Sequence, residues 1–268
     1  MTRPADLPDF KAPPLNEVIV GVQFAPATGY QQARVGEVWS LFREDFPSVQ
    51  ELPPLPPTFE TFGLPQGGML NLNVMSMPTH SRYWFLSSYQ DELLQFQQDR
   101  LLHNWRKVGE TNEYPRFETL IEKFEKELRA LEVYFTSLTP QSLNINQCEI
   151  SYINHIPIGD SADAMPTQDW LKFICFDEPQ PDDFVMIFRR VISNAEGKPL
   201  GRLIYEAGVA LTANNEKIVQ LTLMFRGAPA ETDINAAIDF LRLGRGLVVQ
   251  SFKEVTTDMA HHKWGMVQ

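Results

Sequence analysis

The segment Glu17-Val-Ile-Val-Gly-Val-Gln-Phe24 is a dense β-branched run closed by Pro26, and it reads as a strand. Gln147-Cys-Glu-Ile-Ser-Tyr-Ile-Asn-His-Ile156, closed by Pro157, opens the other half of the chain in the same way. Outward from each of these strands the same order of elements follows, and that order decides the fold.

In the first half, residues 1–16 carry Pro4, Pro8, Pro13 and Pro14 and form an extended arm. Val35, Val38, Trp39, Phe42 and Phe46 then recur at helical spacing over 31–46, until Pro47 stops the helix. Glu51-Leu-Pro-Pro-Leu-Pro-Pro-Thr-Phe59 is an extended, polyproline-like connector. Strand candidates follow at Met69–Met75, Arg82–Ser88 and Leu93–Trp105. Tyr114-Pro115 opens the clearest helix, with an apolar stripe through Phe117, Ile121, Phe124, Leu128 and Phe135 and charged residues opposite.

The second half adds a short helix at Thr167–Phe176 and strands at Phe184–Ile192, Arg202–Leu211 and Lys217–Phe225. A final long helix follows, capped by Thr232. Gly244 and Gly246 interrupt it, which predicts either a close helix–sheet approach or a kink. The expected class is α+β: two β-α-β-β-β-α halves, 1–140 and 141–268, in a single pseudo-repeated unit spanning 1–268. Long antiparallel strands must bury one face. A broad, curved, mainly antiparallel sheet with the two long helices on its concave face meets that need, a layout that resembles helix-grip or saddle-like folds.

Composition narrows the function. The 268 residues are 43% hydrophobic and carry a formal net charge of −11. This is a globular mixture, and its acidity argues against broad binding of nucleic-acid backbone. Cys148 and Cys175 are too few for a disulfide framework. The N-terminus lacks a secretory pattern and no apolar run spans a membrane, so a cytoplasmic protein is expected.

Several blocks resemble a sporadically distributed bacterial family of uncharacterised proteins. They are Pro13-Pro-Leu-x-Glu-Val-x-x-Gly-Val-Gln-Phe24, Leu52-Pro-Pro-Leu-Pro-Pro57, Trp84-Phe-Leu-Ser87, Gln95-x-Gln97-x-Asp-Arg100 and His103-Asn-Trp-Arg106. Tyr114-Pro-Arg-Phe117, Cys148-Glu149, Tyr152-Ile-Asn-His155 and the closing Thr256 to Trp264-Gly265 complete them. The resemblance implies a free-standing bacterial protein and assigns no catalytic residue.

No phosphate-binding loop, dinucleotide fingerprint or nucleophile elbow occurs in the sequence. Adjacent His261 and His262 suit a solvated tail better than a metal site. Cys148 and His155 fall on opposite faces of one strand, and Ser151 lies about 13 Å from His155 along it. No catalytic residue, metal or cofactor is therefore assigned. The most unusual segment is 95–106. Read as one strand, it aligns Gln97, Asp99, His103 and Trp105 on one face and Arg100 on the other. Gln97, Asp99, Arg100, His103, Trp105 and His155 are thus the ligand- or partner-binding candidates, with a structural polar network as the plainer reading of the segment. For His155 the plainer reading is a strand-end histidine satisfied by a neighbouring carbonyl.

Three functions are compatible with these features. The first is a non-enzymatic protein-binding or regulatory module of a bacterial accessory system, of a defence or toxin-neutralising type, which would bind another protein or itself as a homodimer. The second is a binder of a small apolar ligand, with a cavity between sheet and helices. The third is a hydrolase-like enzyme of unrecognised type.

Overall fold

The protein is α+β. In the computed structural model, which describes residues 4, 6–63, 80–109, 112–159, 163–176 and 181–267, the first half runs β1 (Leu15–Phe24), α1 (Val35–Ser40), β2 (Ser48–Leu52), β3 (Arg82–Leu86), β4 (Glu92–Gln97), β5 (Arg100–Arg106) and α2 (Phe117–Leu138). The second half runs β6 (Ile145–Pro157), α3 (Thr167–Trp170), β7 (Val185–Ser193), β8 (Pro199–Leu211), β9 (Lys217–Gly227), α4 (Ile234–Val255) and α5 (Asp258–Lys263). The strands form one broad antiparallel sheet in the order β2-β3-β4-β5-β1-β6-β9-β8-β7. The two segments that open the halves, β1 and β6, are neighbours at its centre, with Val20 opposite Ile150.

Alternation along the strands separates two faces. Val18, Val20 and Val22 are buried on the front face, in register with Ile150 and, across β9, with Phe225. The long helix α4 packs on that face. A Cβ added at Gly244 would sit 2.7 Å from Ile150 Cγ2 and 2.9 Å from Phe225 Cδ1, so only glycine permits the approach. The helix runs unbroken through both glycines and is capped by Asp233, whose carboxylate accepts from the Ala236 N–H at 2.9 Å. Its neighbour α2 buries Phe117, Leu120, Ile121, Phe124, Leu128, Leu131 and Phe135, the apolar stripe, against the same face.

Several expectations need correction: the first helix, expected over 31–46, is α-helical only at Val35–Ser40, and the last is capped by Asp233, not Thr232. Residues 93–105 are not one strand but the hairpin β4–β5, turning at Gln98-Asp99. That turn contains neither glycine nor asparagine, the usual hairpin signal; the Phe24 N–H holds it by donating to the Asp99 carbonyl at 2.8 Å. The connector begins as an edge strand, because Ser48–Leu52 pairs with β3. The helix expected at Thr167–Phe176 is confined to Thr167–Trp170. His261 belongs to α5 and is 5% exposed, so it is not part of a solvated tail. The candidate strand Met69–Met75 lies outside the described residues. No described helix is long and apolar enough to cross a membrane.

Candidate functional site

A cleft opens at one end of the front face, between the N-terminal arm, the start of α2 and the middle of α4. Its accessible space is about 90 Å³ and it is open at the mouth, smaller than the roughly 300–1,000 Å³ of drug-sized sites. The arm reaches it because Phe10 packs edge-on against Phe252 at 5.5 Å and lies 6.3 Å from Trp264. Backbone bonds from Lys11 and Ala12 to the carbonyls of Gly265 and Trp264, both 3.1 Å, tie the arm to the C-terminus. Leu15, Phe117, Val248 and Phe252 supply apolar walls.

The cleft's polar groups are few and buried. Arg245, 6% exposed, projects from α4 with its guanidinium 5.6 Å from the Phe117 ring centroid. Its ion-pair contact with Glu118 spans 3.5 Å, and its Nε–H makes no hydrogen bond. A charge-assisted pair normally closes to about 2.7–2.9 Å, so this buried cation is poorly matched. The hydroxyls of Tyr114 and Tyr152 meet at 3.1 Å. Burial pushes both phenols above their ordinary range, with the neighbouring hydroxyl adding to the effect at Tyr114, so both stay protonated. Arg116, at the mouth, has φ 73° and ψ 152°, a region that side-chain-bearing residues rarely occupy and that tends to mark functional positions. Its guanidinium donates to Asp9 Oδ1 at 3.0 Å.

The opposite face is polar and is covered by the chain itself. After β2, the proline-rich segment crosses the sheet roughly perpendicular to the strands. The Leu55 N–H donates to Gln97 Oε1 at 2.8 Å, the Thr58 N–H to Gln23 Oε1 at 2.9 Å, and the Glu60 N–H to Gln147 Oε1 at 3.4 Å. The spacing matches: three residues of polyproline helix advance about 9.3 Å, and Gln97 and Gln23 stand two strands apart, about 9.6 Å. Pro53, Pro54, Pro56 and Pro57 have no N–H to leave unpaired, so the donors fall where the glutamines wait. At the far end Arg202 binds Glu60 Oε2 and the Thr61 carbonyl, both at 2.7 Å. Arg226 reaches Glu60 at 3.6 Å and Glu149 at 3.1 Å.

The six candidates from the sequence therefore separate. Gln97, Asp99 and Arg100 serve the strap: Arg100 donates to Asp99 at 3.1 Å and to the Pro56 carbonyl at 3.0 Å, and Gln97 donates to Asp99 at 2.9 Å. The hairpin puts His103 and Trp105 on the front face instead. His103 is fully buried beneath α2, its Nδ1 2.9 Å from Glu127. Burial lowers its pKa, but the Glu127 carboxylate outweighs that and the net shift is upward. Trp105 packs on Tyr114 at 5.1 Å and so supports the cleft wall from behind. His155 sits half-buried on the back face of β6 opposite Gln220, its pKa lowered by burial against that bond.

Catalytic geometry is poor where it is suggested. Thr256 Oγ1, His261 Nε2 and Asp258 form a triad-like row at 2.8 and 3.7 Å. However, Thr256 is fully buried and its hydroxyl donates to the Phe252 carbonyl at 2.6 Å, which leaves no free nucleophile. Burial, with Glu149 beside it, pushes the Cys148 thiol far up, away from thiolate chemistry. Among the described residues no group of three or more His, Cys, Asp or Glu is placed to hold a metal ion.

Sequence reasoning gave Arg245 no role and met Tyr114 and Tyr152 only within the resembling blocks. The available signal was the blocks themselves: Pro13-Pro-Leu15, Tyr114-Pro-Arg-Phe117 and Tyr152-Ile-Asn154 each contribute to the cleft lining. Comparison with protein-family models, curated proteins and solved structures finds no match to this chain.

Proposed function

We propose that this is a non-enzymatic binding protein whose functional centre is the front-face cleft, where it takes a small, largely apolar molecule. One observation carries this reading: apolar walls converge on Arg245, a buried cation that meets Glu118 at 3.5 Å and bonds the Tyr152 hydroxyl but leaves its Nε–H unbonded. Buried polar groups are ordinarily satisfied, and the exceptions mark places where something else completes them. A thermal-shift series with amphiphiles of roughly 8 to 14 heavy atoms tests it. Ligand-induced stabilisation should rise with the logarithm of ligand concentration above Kd, reaching about 2.7 kcal/mol at a hundredfold excess. Val248→Trp, which fills the cleft, should abolish it. If every compound shifts the wild type and the Val248→Trp variant alike, the cleft is not the site.

A protein-partner reading is favoured by the edge strand β7. Val185, Ile187 and Val191 lie on its back face, 78%, 46% and 40% exposed, and β7 is an edge strand among the described residues, where an apolar edge invites another strand. The occupant we favour is a second copy. Antiparallel pairing centred on Ile187 keeps the two Arg189 side chains about 13 Å apart. Light scattering should find a dimer that Ile187→Lys converts to monomer, and a wild-type monomer at all concentrations would remove this reading.

The same proposal takes the chain as a cytoplasmic bacterial protein built from two pseudo-repeated halves. The strand order supports the repeat, since it reads 1-5-4-3 outward from the centre on one side and 6-9-8-7 on the other. It leaves β2 as an addition to the first half.

A further inference from the structure

We infer that the cleft's ligand is an apolar-bodied monocarboxylate whose carboxylate pairs with Arg245 beside the N-terminus of α2. This deepens the ligand-binding reading above and rests on it. Arg245 is 94% buried, yet its ion-pair contact with Glu118 is stretched to 3.5 Å and its Nε–H is unbonded. A buried cation left so is costly, and an anion is the partner that relieves it. The 22-residue helix α2 begins beside it at Phe117, and its N-cap residue, Arg116, makes no side-chain cap. The first-turn N–H groups add partial positive charge at the same spot. Among the described lining residues the charged groups are Arg116, Arg245 and Asp9. Asp9 is already engaged, by Arg116 at 3.0 Å and by the Phe10 N–H at 3.1 Å. Asp9 and Glu118, the latter 3.5 Å from Arg245 in the first turn of α2, balance the two arginines, so the unbonded Nε–H of Arg245 is the group that a ligand would engage. A single buried guanidinium can grip a planar carboxylate with two donors, and its one positive charge matches a singly charged head better than a doubly charged phosphate. Phe10, Leu15, Val248 and Phe252 suit a hydrocarbon or aromatic body.

Calorimetric titration of the full chain with decanoate and with decan-1-ol tests this. Decanoate should bind at least tenfold more tightly to the wild type. Arg245→Met should erase that preference while leaving decanol affinity unchanged, and this unchanged affinity also shows that the variant folds. Equal affinity of acid and alcohol for the wild type would overturn the carboxylate assignment and leave the binding reading standing. Binding of neither would overturn both.

Discussion

The two faces of the sheet handle buried polarity in opposite ways. On the back, glutamines from β4, β1 and β6 take the backbone of the strap, and Arg202 and Arg226 close on Glu60. On the front, Arg245 is buried to a similar degree and faces a cleft instead of a matching partner. Both places look like recognition sites. The difference teaches that a site already filled by its own chain is architecture, whereas a buried charge left half-matched beside open apolar space is a site for something else.

Glu60 offers the most forceful way to break this contrast. Its side chain is 2% exposed between two arginines, so Glu60→Gln leaves the buried Arg202 without its counterion, while Arg226 keeps Glu149 at 3.1 Å. Loss of about 3–5 kcal/mol of unfolding free energy is expected, measured by urea denaturation. A change below about 1 kcal/mol would mean that the strap is only loosely attached.

His103 sharpens the contrast, because it is a front-face polar group whose Nδ1 is held by a close carboxylate at 2.9 Å, although its Nε2 makes no hydrogen bond. Its folded pKa is raised, so protons bind the folded state more tightly than the unfolded one. The resulting stabilisation is whole below about pH 6.5, the ordinary histidine value. It is lost as pH rises through the raised folded value. Stability measured against His103→Gln should therefore show an advantage on the order of 2 kcal/mol in acid that shrinks as pH increases. An advantage that grows with pH would contradict the pairing with Glu127.

Arg245→Met should have the smallest effect on folding, about 1–2 kcal/mol, because it removes a counterion of Glu118 that is already 3.5 Å away. A loss of several kcal/mol would place Arg245 with the structural arginines of the back face and remove the basis of the contrast.

Much of the scaffold was legible in the sequence. The β-branched run at 17–24 and the apolar stripe of α2 announce themselves because one buried face imposes a fixed period on each. The hairpin at 97–100 was not legible, since its Gln98-Asp99 turn depends on the Phe24 N–H, more than seventy residues earlier in the chain. That miss misassigned His103 and Trp105, because a turn in mid-segment reverses which neighbours share a face. The proline connector was recognisable as extended, but its place was not. Gln23, Gln97 and Gln147 resemble ordinary surface residues until the strands bring them into one row. Arg245 was hidden for a similar reason: its meaning comes from Phe117, Tyr152 and the arm, which meet only once both halves are assembled.

Hydrogen–deuterium exchange of the full chain with and without saturating decanoate tests the central claim most directly. Protection should rise in residues 8–15, 114–120 and 245–252 and stay unchanged in the strap at 53–62. Protection confined to the strap, or absent from all of these segments, would contradict the assignment of the front cleft as the binding site.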